Sequence, residues 1–364
     1  MAKSLLFIPD ISGFTKFVQT TEAEHSQHVI AELLEVLIEA NTQQLQLAEV
    51  EGDALFFYKE GQVLSQEKLL AQIETMYTAF YSHLKLLEKN RICPCLACSS
   101  AVNLELKIVA HVGDLQFIEV QNNRKPFGES VIKAHRLLKN SVESDNYVLL
   151  SSDLASEIHM PLDYKSSLFR FRESVNTYDN QPIHYIFSEI AVENLKLQPF
   201  QQGQLITLLR SPNLEFERAY PIRYEELLEV ITNYKYRHLW AESADEIHYN
   251  EKEVTRLDSE HMCVIGGKHF NFKVVSKLPK ANEIVYGEYT TSPPPVDALY
   301  QFFSIKPISE HSSKLTVELF WEANSIFKKI MLGLLVKRAF RKNINTSLDK
   351  LHEVIVAGII PGIA

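Results

Sequence analysis

The sequence predicts an α+β protein built from two domains. Its length of 364 residues suits about two domains of ordinary size. The first half alternates short apolar runs with longer helical patterns in the order βαββαβ, which is typical of helices packed on an antiparallel sheet. The second half changes to successive strand-like runs that end in one long helical pattern. We therefore expect domains at residues 1–190 and 213–357, a connector at 191–212 and an apolar tail at 358–364.

The composition argues against several classes of protein. Hydrophobic residues make up 46% of the chain and charged residues 23%, which is enough for a sizeable core. The formal net charge of -9 argues against a protein that coats nucleic acid or an anionic membrane. The first residues run directly into an apolar strand, so we expect no leader peptide, and no apolar run reaches transmembrane length. The four cysteines do not resemble a disulfide framework, and we expect a cytoplasmic protein.

The elements of the first domain follow from hydrophobic periodicity and from turn residues. Apolar runs of strand length are bounded by Gly, Asn, Asp or Pro, whereas longer runs show the helical spacing of apolar residues. One hairpin is especially clear, because the run A-E-V-E-G-D-A-L-F-F turns at Glu51-Gly52-Asp53. We predict this hairpin at 48–58, helices at about 22–45, 66–89 and 128–140, a polar turn at 121–125, and strands at about 5–9, 103–111, 115–120, 147–150, 169–173 and 184–187.

Two carboxylates are expected to meet at one edge of this sheet. Asp10 directly follows the first strand, and Asp53 stands at the tip of the hairpin. If the first helix crosses back over the sheet, the hairpin lies beside the first strand and the two carboxylates share an edge. Together with the amides of a Gly-containing turn that opens a helix, they suit one or two divalent cations bridging nucleotide phosphates. Taken singly, each aspartate is as readily explained as a helix cap or a hairpin-tip residue.

The second domain is predicted as a curved antiparallel sheet wrapped around a long carboxy-terminal helix. We expect the apolar stripe of that helix to face the sheet, although a basic amphipathic helix can also lie on a membrane. The predicted elements are a strand at 215–220, a helix at 224–232, strands at 246–249, 253–257, 261–265, 270–277, 283–289, 300–308 and 314–321, and a helix at 326–354.

Three cysteines form the most unusual local feature outside the acidic pair. Cys93, Cys95 and Cys98 lie within six residues, in a segment predicted as a loop. Three thiols at this spacing can reach one tetrahedral zinc ion, with a fourth ligand from a histidine, from Cys263 or from a dimer mate. The alternative is a set of reduced structural or redox-sensitive thiols, because zinc sites usually show two separated ligand pairs.

Four motifs in the first half, in order, resemble the catalytic domain of class III nucleotidyl cyclases, which include adenylyl and guanylyl cyclases. The similarity is closer still to an uncharacterised bacterial branch of cyclase-like proteins. The motifs are F-I-P-D-I-S-G-F-T at 7–15, E-V-E-G-D-A at 49–54, A-H-V-G at 110–113 and G-E-S-V-I-K-A-H-R at 128–136.

This resemblance implies a ferredoxin-like fold, a divalent cation site, a purine nucleotide site and active sites shared across a homodimer. The cation would be Mg²⁺ or Mn²⁺. The implied residues are Asp10, Ile11 and Asp53 for the metal, Gly13, Phe14, Thr15, Glu49 and Lys125 for the nucleotide, and Arg136 for a phosphate in catalysis.

Several positions depart from the cyclase pattern. Four residues before the second aspartate, adenylyl cyclases carry a lysine and guanylyl cyclases a glutamate, and this chain has Glu49. The Glu49 position reads the purine base in these cyclases. A second position also reads the base, with aspartate in adenylyl cyclases or cysteine in guanylyl cyclases, and this chain has Lys125 there, which could pair with Glu49 across a dimer interface. The asparagine that stabilises the transition state falls on Ile132, and losing one such polar contact costs on the order of a hundredfold in rate.

The second half resembles the START-like or SRPBCC superfamily, whose helix-grip fold includes polyketide cyclases. The similarity rests on element order and on features such as H-L-W at 238–240 and Y-G-E-Y at 286–289. It implies an apolar cavity between sheet and helix that suits a lipid or another hydrophobic small molecule.

These observations predict a degenerate cyclase-like protein. We expect it to bind a purine nucleotide with a divalent metal, to have weak or no cyclase activity, and to carry a hydrophobic-ligand domain. The alternative is a lipid-binding protein without enzymatic activity, whose cyclase-like half serves as a dimer scaffold. Neither interpretation involves a nucleic acid partner.

Overall fold

The chain divides into two compact units. The structure, a computed structural model, describes residues 2–121, 123–242, 244–291, 296–323, 325 and 337–360. Unit 1 comprises Met1–Glu88 and Ser100–Phe200, and unit 2 comprises Lys89–Ser99 and Gln201–Ala364. Residues 89–99 therefore group with unit 2, although the sequence analysis assigned them to the first domain.

Through residue 200 the chain alternates strands and helices. The strands are β1 (Ser4–Ser12), β2 (Gln46–Glu51), β3 (Ala54–Lys59), β4 (Glu105–Gly113), β5 (Gln116–Val120), β6 (Asn123–Phe127), β7 (Tyr147–Ser151), β8 (Arg172–Tyr178) and β9 (Gln181–Glu189). The helices are α1 (Phe14–Thr20), α2 (Ala23–Glu39), α3 (Gln66–Asn90), α4 (Leu96–Ser100), α5 (Glu129–Leu138) and α6 (Ser152–Glu157), with short 3₁₀ turns at Ala101–Asn103 and Val192–Asn194.

Unit 1 is organised around a mixed sheet in the order β2-β3-β1-β4-β7-β9-β8. Strands β4 and β7 are parallel, and the other neighbours are antiparallel. The four strands β2-β3-β1-β4, with α2 and α3 as connections, form the ferredoxin-like βαββαβ arrangement predicted from the sequence. Strands β5 and β6 form a separate two-stranded sheet.

Strand β1 lies inside the sheet because most of its side chains are apolar and nearly all of its residues are buried. Leu5, Leu6, Phe7 and Ile8 are each 0% exposed. A strand buried on both faces needs a hydrogen-bonding neighbour on each edge, and β3 and β4 supply them. The hairpin β2-β3 turns through Gly52, whose φ of 73° is readily adopted only by glycine.

Three local predictions for unit 1 need correction. The strand expected at 169–173 is β8 at Arg172–Tyr178, displaced towards the carboxy end. The predicted helix at 22–45 ends at Glu39, because the Asn41 side chain accepts from the Leu45 amide and donates to the Leu45 carbonyl, which fixes a turn. The predicted turn at 121–125 is shorter, and β6 begins at Asn123. Its polar residues and Pro126 hide the strand pattern, but proline is tolerated in an edge ribbon.

Unit 2 is an antiparallel meander. Its strands are β10 (Leu214–Tyr220), β11 (Glu246–His248), β12 (Glu260–Ile265), β13 (Lys268–Val275), β14 (Ile284–Thr291), β15 (Ala298–Ser309) and β16 (Ser312–Glu322), in the order β10-β16-β15-β14-β13-β12-β11. Its helices are α7 (Tyr224–Thr232), α8 (Tyr234–Trp240) and α9 (Lys337–Val356).

The described part of helix α9 packs on the sheet of unit 2. Leu348, Leu351 and Val354 belong to the core that includes the inner residues of β10, β15 and β16. The Tyr220 hydroxyl donates to the Leu348 carbonyl at 3.1 Å, so the end of β10 is bonded to the middle of α9. The part of the predicted helix before Lys337 and the tail after residue 360 lie outside the described residues. Within the described ranges, no helix has the length and apolar character needed to cross a bilayer.

One predicted strand of unit 2, at 253–257, is a loop. Val254 and Leu257 are buried there, but their spacing of three residues would put them on opposite faces of a strand and is not the alternation of a half-buried strand. The loop is held by other bonds, since the Thr255 hydroxyl donates to the Thr232 carbonyl at 3.0 Å. Helix α8 was not predicted, because its seven residues are mostly aromatic or basic and show little helical periodicity.

The interior of unit 2 contains a buried ion pair. Arg237 of α8 donates to the carboxylate of Glu288 on β14, and their side chains are only 9% and 6% exposed. The Tyr286 hydroxyl donates to the same carboxylate at 2.6 Å, and His261 Nε2 lies 3.6 Å from it. Burial acts to raise the pKa of Glu288, but the charge of Arg237 leads the interactions that outweigh it and hold that pKa below its ordinary value. Burial lowers the pKa of His261 to about 4, so this imidazole is neutral near pH 7.

We predict that Glu288→Gln lowers the free energy of unfolding by about 3 to 5 kcal/mol, because it leaves the buried Arg237 charge without its counter-ion. Chemical denaturation of the full chain measures the effect. The matched control is Glu217→Gln, since Glu217 pairs with Lys314 at 2.6 Å on the surface and its loss should leave stability almost unchanged. Equal effects of the two variants would contradict a structural role for the buried pair.

Candidate functional site

The acidic pair predicted from the sequence meets at neighbouring strands of unit 1. Asp10 lies near the end of β1, with Ala54 of β3 as its register partner on one side and Lys107 of β4 on the other. The Ile11 amide donates to the Asp53 carbonyl at 3.0 Å, so the hairpin turn is bonded to the end of β1. The sheet order β2-β3-β1 therefore produces the predicted meeting of Asp10 and Asp53.

A lysine that the sequence analysis did not select lies at this site. Lys107 Nζ is 3.3 Å from Asp10 Oδ1, and the two side chains are 22% and 13% exposed. The positive charge of Lys107 also acts on Asp53, where it partly offsets the burial that raises the pKa of this carboxyl. Only the register between β1 and β4 identifies Lys107, because nothing in the local sequence distinguishes it from other strand lysines.

The electrostatics of the site favour a bound cation. Burial raises the pKa of Asp10 to about 6, with further increases from Asp53 and Glu51 and an opposing effect of Lys107. Burial likewise raises the pKa of Asp53 and of Glu51. Asp53 and Glu51 thus both act on Asp10 beside one lysine, and an added positive charge would stabilise the ionised carboxylates. Carboxylate oxygens are ligands that Mg²⁺ and Mn²⁺ prefer, so Asp10 and Asp53 fit such an ion, with Lys107 as its competitor.

Helix α5 places a histidine beside the third carboxylate. His135 Nδ1 lies 3.5 Å from Glu51 Oε2, and its ring packs edge-on against Phe56 at 5.2 Å between centroids. The charge of His135 opposes the burial that raises the pKa of Glu51. Glu51 and His135 were also missed, although Glu51 precedes Asp53 by two residues in the hairpin and belongs to the same motif.

Glu49 and Lys125, the two candidate base-reading residues, pair within one chain. Lys125 Nζ lies 2.8 Å from Glu49 Oε1, and the side chains are 37% and 43% exposed. This contact forms because the arm β5-β6 carries Lys125 to the hairpin of its own chain, and pairing across a dimer interface stays a prediction.

The two candidate catalytic positions on α5 lie at its surface. Arg136 forms an ion pair with Asp179, in the turn between β8 and β9. Ile132, at the position of the family's asparagine, is 53% exposed. Within the described residues, Arg136 is thus paired with Asp179 and not with the acidic pair of its own chain.

The remaining nucleotide candidates open helix α1. Gly13 has a φ of 86° and directly precedes Phe14, the first residue of the helix. The Phe17 amide donates to the Gly13 carbonyl at 3.0 Å, and Thr15 is exposed. Helix α1 has only seven residues, so its amino end carries a modest partial charge for an anion.

The cysteine candidates come together in unit 2, in the segment 89–99. The sulfur atoms of Cys93, Cys95 and Cys98 all lie within 4.8 Å of one another. Cys263 lies on β12 and does not belong to this group of sulfurs, so the suggestion that it is the fourth ligand is wrong for the described structure.

Sequence comparisons find two similarities, both over about a third of the chain. Residues 30–147 match the family described as Protein of unknown function (DUF2652). An uncharacterized protein of Mycobacterium tuberculosis is 33% identical over 126 residues, which is 35% of this chain and 58% of that protein. The match therefore spans less than two thirds of the relative's length.

Comparisons of structure find nucleotidyl cyclase domains over half of the chain. The adenylyl cyclase CyaB from P. aeruginosa is 16% identical, with a TM-score of 0.38, over 52% of this chain and 94% of that one. A non-canonical dimeric guanylyl cyclase domain from the aquatic fungus Blastocladiella emersonii is 12% identical, with a TM-score of 0.37, over 52% and 96%. At these scores the likenesses carry no argument, and the proposals below depend on this chain's own residues.

We predict that Asp10 titrates with a pKa of about 6 in the full chain. Because this pKa lies above the ordinary value of 3.8, the folded state binds more protons than the unfolded state between pH 3.8 and about pH 6. The protonated carboxyl therefore favours folding at low pH, and this contribution is lost as the pH rises through about 6.

Carboxyl-carbon NMR measures the Asp10 titration. Lys107→Met should move the midpoint higher, because the ammonium group of Lys107 in the wild type partly offsets the burial that raises the pKa of Asp10. Lys133→Met, which removes the surface partner of Asp153, is the matched control and should leave the midpoint unchanged. A midpoint near the ordinary value, or a decrease in the Lys107 variant, would contradict the described electrostatics.

Proposed function

We propose that the protein binds a purine nucleotide together with Mg²⁺ or Mn²⁺ at the acidic pair of unit 1, with weak or no nucleotidyl cyclase activity. The observation that carries the proposal is the pair Asp10 and Asp53 on neighbouring strands, each with a pKa raised by burial. Burying two carboxylates side by side is unfavourable without a cation, and one lysine neutralises only one of them. A divalent ion supplies the missing charge, and its open positions suit phosphate oxygens.

Lys107 supports the same proposal from the other side. Its ammonium group interacts with both aspartates and lies 3.3 Å from Asp10. When a divalent ion takes over the neutralisation of the carboxylates, this flexible cation becomes available for a phosphate. The role of the ion is to neutralise the carboxylates and the phosphates together.

The exposed pair of Glu49 and Lys125 suits recognition of the base. With exposures of 43% and 37%, the pair is stabilised only weakly and can open at little cost. Glu49 accepts hydrogen bonds and Lys125 donates them, so the two side chains match the mixed donor and acceptor edge of a purine. This pair does not choose between adenine and guanine, and both nucleotides therefore belong in the assay.

Weak turnover follows from the residues on α5. The isoleucine side chain at position 132 neither donates nor accepts a hydrogen bond, so it cannot replace the asparagine that stabilises the transition state.

The arm β5-β6 and helix α5 also expose apolar side chains, namely Val120, Phe127 and Ile132, which suit a surface that another copy covers. We propose a homodimer through this arm and helix, in which the site is shared between two chains. Arg136 then contacts a phosphate only if it leaves Asp179.

A second candidate function is capture of a hydrophobic small molecule or lipid by unit 2, with a helix-grip arrangement of its sheet and α9. Two buried atoms support it, because Arg237 Nε and His261 Nδ1 have no hydrogen-bond partner in the described part of the chain. Buried polar atoms without partners are unfavourable, and the polar end of a ligand would satisfy them. In this function unit 1 serves as a dimer scaffold.

We predict that the protein binds ATP or GTP only when Mg²⁺ or Mn²⁺ is present, as measured by isothermal titration calorimetry. Asp53→Asn removes one ionised ligand and should weaken binding by about tenfold or more, which corresponds to at least ~1.4 kcal/mol. Asp163→Asn changes an exposed aspartate of the same unit and serves as the matched control, with unchanged affinity. Binding that is independent of metal, or equal in the two variants, would overturn the assignment of the site. A lipid found by native mass spectrometry on a protein without nucleotide affinity would favour the second candidate.

We predict that Ile132→Asn raises the rate of cyclic nucleotide formation by about tenfold to a hundredfold over the wild-type chain, because it restores one polar contact to the transition state. Chromatography of the products with each nucleotide and each metal measures the rate, and the double variant with Asp53→Asn should be inactive. Nucleotide binding without any product from Ile132→Asn would show that the site is a sensor and not an enzyme.

A further inference from the structure

The segment 89–99 of unit 2 gathers three of the four cysteines of the chain. The sulfur atoms of Cys93, Cys95 and Cys98 lie within 4.8 Å of one another, and none of them is in a disulfide. We propose that these three thiols bind one structural Zn²⁺ ion. The proposal is independent of the nucleotide site and does not rest on it.

The distances suit a tetrahedral ion with little rearrangement. Zinc binds thiolate sulfur at about 2.3 Å, so two sulfurs of one tetrahedral site lie about 3.8 Å apart. The sulfurs of this segment are already within 4.8 Å. Cys98 is buried and the other two cysteines are half-buried, which would limit the access of water to a bound ion.

The backbone of the segment also suits thiolate ligands. The Cys98 amide donates to Cys95 Sγ at 3.3 Å, and the Ser99 amide donates to the Cys95 carbonyl at 3.0 Å. These bonds close the turn that begins α4 and bring Cys95 and Cys98 onto one side of it. An amide that donates to sulfur stabilises a negative charge there, which a metal-bound thiolate requires.

The start of the segment is fixed to unit 2 by a buried asparagine. Asn90 is 2% exposed, its side chain donates to the Gln201 carbonyl and accepts from the Gly203 amide, and its carbonyl accepts from the Leu257 amide. Cys93 then packs against the hydrophobic core of unit 2. The asparagine holds one end of an irregular segment, and a metal would hold the other.

The chemistry of the donors favours zinc over other occupants. Three thiolates are soft ligands that Mg²⁺ and Ca²⁺ avoid, and iron–sulfur clusters ordinarily use four cysteines. A disulfide would join two sulfurs and leave the third beside it without a function. Zinc accepts three cysteines and one further ligand in a closed structural site.

Metal analysis of the full chain, purified in reducing buffer without chelator, tests the proposal. We expect about one zinc ion per chain in the wild type and less than about a tenth of that in Cys95→Ser and in Cys98→Ser. Cys263→Ser is the matched control, because Cys263 is also buried in unit 2 but lies outside the sulfur group, and it should keep its zinc. Full zinc content in the Cys98→Ser variant would overturn the proposal. A wild-type chain that contains no zinc after refolding with added zinc would also overturn it.

Two further measurements apply if the serine variants do not fold. X-ray absorption at the zinc edge of the wild type should show three sulfur ligands at about 2.3 Å and one nitrogen or oxygen ligand. Removal of the metal with a strong chelator should lower the melting temperature, and re-addition of zinc should restore it. A spectrum with no sulfur ligands, or a stoichiometric disulfide among these cysteines in freshly purified protein, would contradict the site.

Discussion

The candidate site depends on the pairing of β1 with β3 on one edge and with β4 on the other. Strand β1 pairs with β4 at every residue from Ser4 to Ser12 and with β3 on its other edge, and its buried apolar side chains anchor it in the core, so its register is fixed from both sides. The same register places Asp10 between Ala54 and Lys107. The apolar residues that stabilise unit 1 thus also determine which charged groups meet at its edge. The acidic pair is a consequence of core packing and not of local sequence alone.

The parts of unit 1 that were predicted correctly are those with local causes. Gly52, at the tip of an apolar hairpin, specifies the turn between β2 and β3, and the long amphipathic pattern of α3 gives its bounds nearly to the residue. The meeting of Asp10 and Asp53 followed from these elements together with the assumption that the first helix crosses back over the sheet. Lys107 and His135 could not be predicted in the same way, because their proximity to the acids depends on strand register and on the rotation of α5 about its axis.

Unit 2 shows a second limit of sequence reasoning. Alternation of apolar and polar residues predicted most of the meander, but the apolar residues Val254 and Leu257, three apart, belong to a loop whose side chains reach the core. The burial of the Arg237 and Glu288 pair could not be predicted from the sequence either, because charged residues in a helix or a strand are mostly exposed. Only tertiary packing distinguishes a buried counter-ion from a surface charge. The assignment of this unit to the helix-grip class remains a prediction from the order of its elements.

The assignment of residues 89–99 to unit 2 makes unit 1 discontinuous along the chain. A single cut after Phe200 therefore releases all of unit 1, but it also separates residues 89–99 from the rest of unit 2. During synthesis this loop leaves the ribosome before the strands of unit 2 against which it packs. Unit 2 is therefore completed with a segment that is made before the second part of unit 1, and it cannot be built from the carboxy-terminal residues alone.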